Sequence, residues 1–358
     1  MIYFDHAATG GTKPPEVTSA VVSAMQRWAN PGRSGHRLSV AFAEKVYLTR
    51  ELLSSYFDGY GAERVIFTKN CTEALNIALF SLKGHVIATE LEHNSVLRPL
   101  AKRGNYSICP LTDGKLDLLS LRSLVREDTS ALVISLASNV TGYAPDVRLI
   151  RSILPPNVLI IGDGAQAGGH AYLSMKRLGL DALCLAGHKG LFGIQGSGVL
   201  LFSDRFSPSP LLYGGTGTES FNRDMPSCYP ERLEAGTLNF PAIVSLYEGV
   251  LYLKTHGVQD ESMLSKTMHE LLSPLVTLYS EPNSYGIVTF SSEKYPSEAI
   301  AAKLNEYDIA VRGGLHCAPL IHERIDRHAG GSVRVSMGYG NTLKEVDCFY
   351  RAIKEILT

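Results

Sequence analysis

Val158-Leu159-Ile160-Ile161-Gly162-Asp163-Gly164-Ala165-Gln166 and Ala182-Leu183-Cys184-Leu185-Ala186-Gly187-His188-Lys189 decide how this chain folds. Each is a short apolar run that gives way to a polar residue set among glycines. A strand with one wet face alternates apolar and polar residues, whereas a strand buried on both faces reads as a continuous apolar run. Five further runs accompany these two, at Arg64–Phe67, His85–Thr89, Ser107–Leu111, Ala131–Ala137 and Val199–Phe202. Amphipathic stretches lie between and before them: Glu16–Trp28, Leu38–Phe57, Thr72–Leu82 and Leu116–Arg126. Strand and helix in alternation predict an α/β fold, a mostly parallel seven-stranded sheet flanked by helices.

Beyond these strands the pattern changes. Ser207–Glu234, rich in Pro, Gly, Ser and Thr, predicts a long surface excursion, and a long helical pattern begins near Pro241. The rest predicts a compact α+β unit: helix Glu261–Leu275, strand Gly286–Ser291, helix Ser297–Tyr307, strands Ile309–Arg312 and Val333–Ser336, and helix Leu343–Leu357. The expected division is a large domain over 14–245 and a smaller one made of 1–13 and 246–358.

The 358 residues, 45% of them apolar, can bury a sizeable core, and the net charge of −1 lacks the basic excess of a nucleic-acid binder. No apolar run approaches the ~18 residues of a membrane span. The opening Met1-Ile2-Tyr3-Phe4-Asp5-His6 has no basic region followed by an apolar stretch, so a cytoplasmic enzyme is expected. Six scattered cysteines form no disulfide framework and no metal-ligand set is read. Cys109, Cys184 and Cys348 are expected to be small buried hydrophobes, and Cys228, in a Pro-flanked loop, to be exposed and oxidisable.

Ligands of open α/β sheets bind at the carboxyl ends of strands, and the chemistry-bearing residues fall there. Lys189 follows a buried strand, where an ammonium is costly and a neutral amine can condense with a carbonyl. Asp163 ends the preceding strand, 26 residues earlier. A carboxylate there either caps a helix or pairs with a protonated ring nitrogen, with Gln166 three residues on to donate to a ring oxygen. Thr68-Lys69-Asn70-Cys71-Thr72-Glu73 opens a helix after the first strand, where backbone N–H groups make an anion site, unless Thr72 is only the cap. Glu92-His93-Asn94-Ser95 places an imidazole past the second strand, and Asn139 follows the fourth.

The set Asp163-x-x-Gln166, His188-Lys189, Glu92-His93-Asn94-Ser95, Ala137-Ser138-Asn139 and Glu234-Ala235-Gly236-Thr237 resembles the class V aminotransferase superfamily of fold-type I pyridoxal-5′-phosphate enzymes. Within it the chain looks like the cysteine desulfurase family, from Tyr3-Phe4-Asp5-His6-Ala7-Ala8-Thr9 to Arg334-Val335-Ser336-Met337-Gly338. Arg312-Gly313-Gly314-Leu315-His316-Cys317-Ala318-Pro319 is most similar to the group-II desulfurase and selenocysteine lyase branch. The resemblance implies pyridoxal 5′-phosphate held as a Schiff base on Lys189, with Asp163 at the pyridine nitrogen, His93 stacked on the ring, and Gln166 and Asn139 on the ring and substrate side. It places Thr72, with its neighbour Cys71, and His188 at the phosphate, Thr237 at the phosphate of a partner subunit in a homodimer, and Arg334 at the substrate carboxylate. The larger domain would bind the cofactor and the smaller one carry the nucleophile, Cys317. Arg312 is a further substrate-side candidate, as are Arg33 and His36, which could reach the partner subunit's site, with a plain helix-start loop as their other reading. His316 and Arg312 are expected to lower the thiol pKa of Cys317.

The implied reaction converts L-cysteine to L-alanine, with sulfur passing to Cys317 as a persulfide. It then passes to an acceptor protein for iron–sulfur cluster assembly, thiolated tRNA or a cofactor. Selenocysteine lyase and a C–S β-lyase that does not need Cys317 are the alternatives. A non-catalytic cofactor-binding module is disfavoured because Lys189, Asp163, His93, Arg334 and Cys317 are all intact. Two departures stand out: Ala186 where many members carry Ser, expected to cost one phosphate contact, and His6 where many carry Asn or Ser.

Overall fold

The computed structural model describes residues 1–27, 29–31, 34–325 and 330–358. Its larger sheet has seven strands: β1 (Val65–Thr68), β2 (His85–Thr89), β3 (Tyr106–Cys109), β4 (Thr129–Ser135), β5 (Leu159–Asp163), β6 (Ala182–Ala186) and β7 (Gly198–Phe202). Their spatial order is β1-β7-β6-β5-β4-β2-β3, and only β7 runs antiparallel to its neighbours. Every residue of β2, β6 and β7 is buried, which is why those runs do not alternate. The two faces pack as separate cores, one containing Ile87, Leu132, Ile134 and Leu183, the other Val86, Val133, Ile161 and Leu200.

The reversal at β7 shapes the Lys189 loop. An antiparallel neighbour needs only a tight return, and residues 187–197 make it, with Gly187 N–H donating to Ser197 O (3.0 Å) and Gly193 N–H to Gly187 O (2.8 Å). The loop lies so close to the turn after β5 that a Cβ on Gly190 would fall 2.3 Å from the Gly168 carbonyl. Glycine at 190 therefore locks the Lys189 loop onto the Asp163 turn.

A second, antiparallel sheet is formed by β8 (Thr277–Leu278), β9 (Ile287–Ser291), β10 (Arg312–Gly314) and β11 (Ser332–Ser336), in the order β8-β9-β11-β10. Phe290, Val333 and Val335 pack with Phe349 and Ile353 of the helix Leu343–Leu357, whose Thr342–Glu345 capping box fixes its start. The N-terminus joins this unit: Ile2–Tyr3 pairs in parallel with Ile309–Ala310, Phe4 is buried in the same core, and Asp5 bridges to Ser336.

Several expectations are corrected. Leu116–Arg126 is not one helix: Lys115–Leu116 pairs with Leu111–Thr112 in a small hairpin, and the helix is only Leu118–Ser123. The turn between them is Asp113-Gly114, both at positive φ, a pair suited to tight hairpins. The expected strand Ile309–Arg312 is two strands, its first half paired with the N-terminus and its second with β11. Cys109 and Cys184 are buried as expected, but Cys348 is exposed because its helix is amphipathic and it falls on the wet face. Residues 207–234 contain no helix or strand, in keeping with an excursion, and Cys228 is exposed.

Candidate active site

The strand ends converge on a cavity of about 220 Å³, lined among others by Ala8, Cys71, Thr72, His93, Asn139, Asp163, Gln166, Ala186, His188 and Lys189. This is the crevice expected at the carboxyl ends of a parallel sheet. Burial, reinforced by the Arg334 charge, pushes the Lys189 ammonium down to about 8, so a neutral amine is accessible near neutrality. The side chain is only half-buried by area, and the surface it exposes is cavity wall.

Asp163 is the last residue of β5. Its Oδ1 accepts from Ala165 N–H (2.9 Å) and from the Cys71 thiol (3.5 Å). No hydrogen bond reaches Oδ2 among the described residues, which leaves that oxygen for a ligand. Asp163 caps no helix; it closes a turn. Burial and the nearby carboxylate hold the Cys71 thiol protonated, so it acts as a donor rather than as a nucleophile.

The helix Cys71–Ser81 is capped by Asn70, whose Oδ1 accepts from Glu73 N–H (2.9 Å). Asn70, not Thr72, is thus the cap. Cys71 and Thr72 occupy the first turn and border the cavity, where helix N–H groups lack helical partners. Thr72 Oγ1 pairs with Ser95 Oγ (2.8 Å), and Ser95 Oγ with His93 Nδ1 (2.9 Å). His93 also caps the helix Asn94–Arg103, accepting from Ser95 N–H (3.0 Å) at Nδ1. Burial lowers its pKa to about 4, so the ring is neutral and carries its proton on Nε2. Behind it Glu92, fully buried, accepts from Thr89 Oγ1 and Ser135 Oγ, and burial raises its carboxyl to about 7.

The N-terminal segment closes the cavity. Gln166 Nε2 donates to Ala7 O (3.0 Å), His188 Nδ1 bonds Thr9 Oγ1 (3.0 Å), and Gly10 N–H donates to His188 O (2.9 Å). Burial lowers His188 to about 4, so it is neutral. Arg334, in β11 and 2% exposed, donates from Nη1 to Asn139 O and from Nη2 to Asp5 Oδ1, both at 3.0 Å.

Cys317 lies outside the cavity wall, exposed, on the loop that follows β10. Its loop is held by the cavity's rim: Asn139 Nδ2 donates to His316 O (2.8 Å) and Asn94 N–H to Cys317 O (2.7 Å). The helix Pro319–Ile325 beyond it is tied down by Arg324, whose Nη2 reaches Glu90 at 2.6 Å. His316 and Cys317 both take positive φ (49° and 58°), a conformation that costs a non-glycine residue of order 1–3 kcal/mol. His316 does not supply the expected positive charge. It is buried beside Arg334, its pKa falls to about 2, and its Nε2 pairs with Ser332 O (2.9 Å). Arg312 is half-buried, opposite Arg334 in register, with no hydrogen bond or ion pair among the described residues.

Other expected residues are not brought together. Thr237 is exposed and borders a separate space of about 670 Å³ that shares Asn70 and His188 with the Lys189 cavity. His36 caps the helix Arg37–Tyr56 through Ser39 N–H (3.2 Å), away from the cavity; Arg33 lies outside the described residues. A larger hollow of about 830 Å³ runs between that helix and the 216–238 excursion, but it holds none of the residues predicted to do chemistry. Sequence reasoning passed over Asn70, Ser95 and Asp5. The motif Asn70-x-x-Glu73 carries a capping signal, whereas nothing local marks the pairing of Asp5 with Arg334.

Residues 2–349 match the family model described as Aminotransferase class-V. A probable cysteine desulfurase of Pyrococcus abyssi is 30% identical over all of this chain and 94% of its own length. A cysteine desulfurase of Serratia proteamaculans is 27% identical over 99% of this chain and 93% of its own. Among solved structures, the apo cysteine desulfurase of Thermococcus onnurineus superposes with a TM-score of 0.89 at 28% identity, covering 99% of this chain and 94% of that one. A match that runs through both sheets and both sides of the cavity leaves one conclusion: this chain belongs to the aminotransferase class-V family.

Proposed function

We propose that the chain is a pyridoxal-phosphate-dependent L-cysteine desulfurase, and that Cys317 is its sulfur acceptor. The observation that carries this is the docking of an exposed cysteine on the rim of the Lys189 cavity, through Asn139 and Asn94. The donor set fits the cofactor. Lys189 offers an amine that burial keeps partly neutral, Asp163 Oδ2 is free for a protonated ring nitrogen, and the Cys71–Thr72 turn offers N–H groups to a phosphate.

When bound, the cofactor supplies an electron sink for a carbanion at the substrate Cα. Lys189 Nζ would anchor it and, as a neutral amine, move the proton at Cα. Asp163 Oδ2 would hold a proton on the cofactor's ring nitrogen. Neutral His93, which borders the cavity and is fixed by Ser95 at Nδ1, would stack on the ring. Arg334 seats the substrate carboxylate, a task that its planar fork performs better than a lysine. The Cys317 thiolate attacks the substrate sulfur: an S–S bond forms as the Cβ–S bond breaks, and L-alanine leaves once Cβ is protonated. An exposed persulfide can then be handed to an acceptor protein. Among the described residues, no helix is long and apolar enough to cross a membrane, and no cluster of ligating side chains calls for a metal. We place the enzyme in the cytoplasm as a homodimer in which Thr237 faces the partner's cofactor phosphate.

The test is to load the protein with pyridoxal phosphate, add L-cysteine and a reductant, and measure alanine and sulfide in wild type and in Cys317→Ala. Alanine formed by wild type and lost in the variant is the expected result. Pyruvate and sulfide formed equally by both would make the protein a β-lyase.

A further inference from the structure

Arg334, the proposed seat of the substrate carboxylate, already holds a carboxylate of the protein itself. Arg334 is held by Asp5 at 3.0 Å, although the two are 329 residues apart in the chain. A guanidinium has five N–H donors. One goes to Asp5, one to Asn139 O, and the buried Nε has no partner among the described residues. Opposite Arg334 across the β10–β11 ladder stands Arg312, a second cation with no ion pair among those residues. Asp5 is not free to swing away: its backbone bridges Ser336, and its carbonyl accepts from Ala8 N–H (3.0 Å) and from the Tyr3 hydroxyl (3.1 Å). Ala8, three residues on, is already cavity wall.

On the reading of Arg334 as the carboxylate seat, we propose that Asp5 is the residue that sets its strength. It holds the guanidinium in place and offsets part of the Arg334–Arg312 charge, so that the substrate carboxylate is bound loosely enough for the product, which bears the same carboxylate, to leave. On that reading the carboxylates of L-cysteine and L-alanine alike would meet Arg334, with Arg312 opposite it in register. Without Asp5 the seat would carry two uncompensated cations, and substrate and product would both be held more firmly. Asp5 therefore trades substrate affinity against release, and limits how strongly the site prefers amino acids to thiol amines that have no carboxylate.

Asp5→Asn tests this, because it keeps an acceptor oxygen toward Arg334 and removes only the charge. With the cofactor-loaded enzyme, KM for L-cysteine should fall about fivefold or more and inhibition by L-alanine should tighten by a similar factor. Binding of cysteamine, which is cysteine without its carboxylate, is followed by the change in cofactor absorbance, and the ratio of cysteine to cysteamine affinity should rise. An unchanged ratio, or cysteine and cysteamine shifting alike, overturns the proposal and leaves Asp5 a structural residue. Asp5→Ser serves if the Asn variant does not fold, with the same expected ratio. Arg334→Lys separates the underlying reading: it should weaken cysteine and spare cysteamine. If it weakens both alike or neither, Arg334 is not the carboxylate seat. If it behaves as expected while both Asp5 variants leave the ratio unchanged, only the role of Asp5 fails.

Discussion

Asp163 ends a strand paired on both sides, is 5% exposed, and has one carboxylate oxygen pinned by two donors; Cys317 sits on a loop, exposed, in a left-handed backbone conformation, held by its carbonyl alone. The same contrast runs through their neighbours. Lys189, Asp163 and His93 are fixed by the large sheet and its turns, where burial lowers the proton affinities of Lys189 and His93. The Cys317 loop rests on three attachments at the cavity's edge. Proton transfer at one carbon needs fixed geometry, whereas a sulfur atom that must be collected inside and delivered outside needs a carrier that can be reached from both directions.

The largest expected effect tests the rigid half. Lys189→Ala should lower alanine formation about a thousandfold or more, since it removes both the anchor and the acid/base group. The visible absorbance of bound cofactor should vanish with it. Retained absorbance and turnover would show that another amine does the work. Next, Cys317→Ala should cut alanine formation at least ~100-fold while leaving cofactor absorbance and thermal midpoint where they are, because the thiol is exposed and makes no hydrogen bond among the described residues. A falling midpoint would blur the contrast between the two regions.

Glu92 probes the floor beneath His93. Its folded pKa, about 7, lies above that of an unfolded glutamate, so the folded state binds the proton more tightly. The resulting stability is fully present below about pH 4 and is lost as pH rises through about 7. Glu92→Gln can keep the contacts with Thr89 and Ser135 without titrating. Denaturant melts should therefore show the variant gaining on wild type between about pH 5 and 8, by on the order of 2 kcal/mol. A difference that is flat with pH would mean that Glu92 is not held protonated. The smallest effect concerns the loop. The Arg324–Glu90 pair is partly exposed, and such pairs contribute only ~0–1 kcal/mol. Glu90→Gln should lower kcat no more than about fivefold and leave cofactor absorbance and KM unchanged. An equal effect on KM would place Glu90 in substrate binding.

Much of the rigid half was legible because its signals are local. An apolar run ending in Asp163, or a run followed within three residues by Lys189, states its own position at the mouth of a parallel sheet. All seven strands were recognisable for the same reason, as each is a run buried on both faces or at an edge. The helix Asn94–Arg103 was passed over because Pro99 interrupts its pattern, although His93 before it and Lys102, Arg103 and Gly104 at its end are ordinary boundary signals. The role expected of His316 failed for a different reason: adjacency to Cys317 says nothing about burial, and burial beside Arg334 is what keeps the imidazole neutral. Cys348 failed likewise, since composition around a cysteine does not reveal which face of its helix it occupies. The pairing of Asp5 with Arg334 depends on two sheets meeting, and no spacing rule predicts it.

That pairing has a consequence for how the enzyme is made. Residues 2–10 are made long before the partners they need: Tyr3 waits for Ala310 and Asp5 waits for Arg334. The large sheet can form during synthesis, because its strands are complete by Phe202. The N-terminal segment that closes its cavity, however, has no sheet partner until residues 309–336 have been made. A product that stops short of Arg334 would then hold Lys189 and Asp163 in a cleft whose N-terminal cover has nothing to dock on.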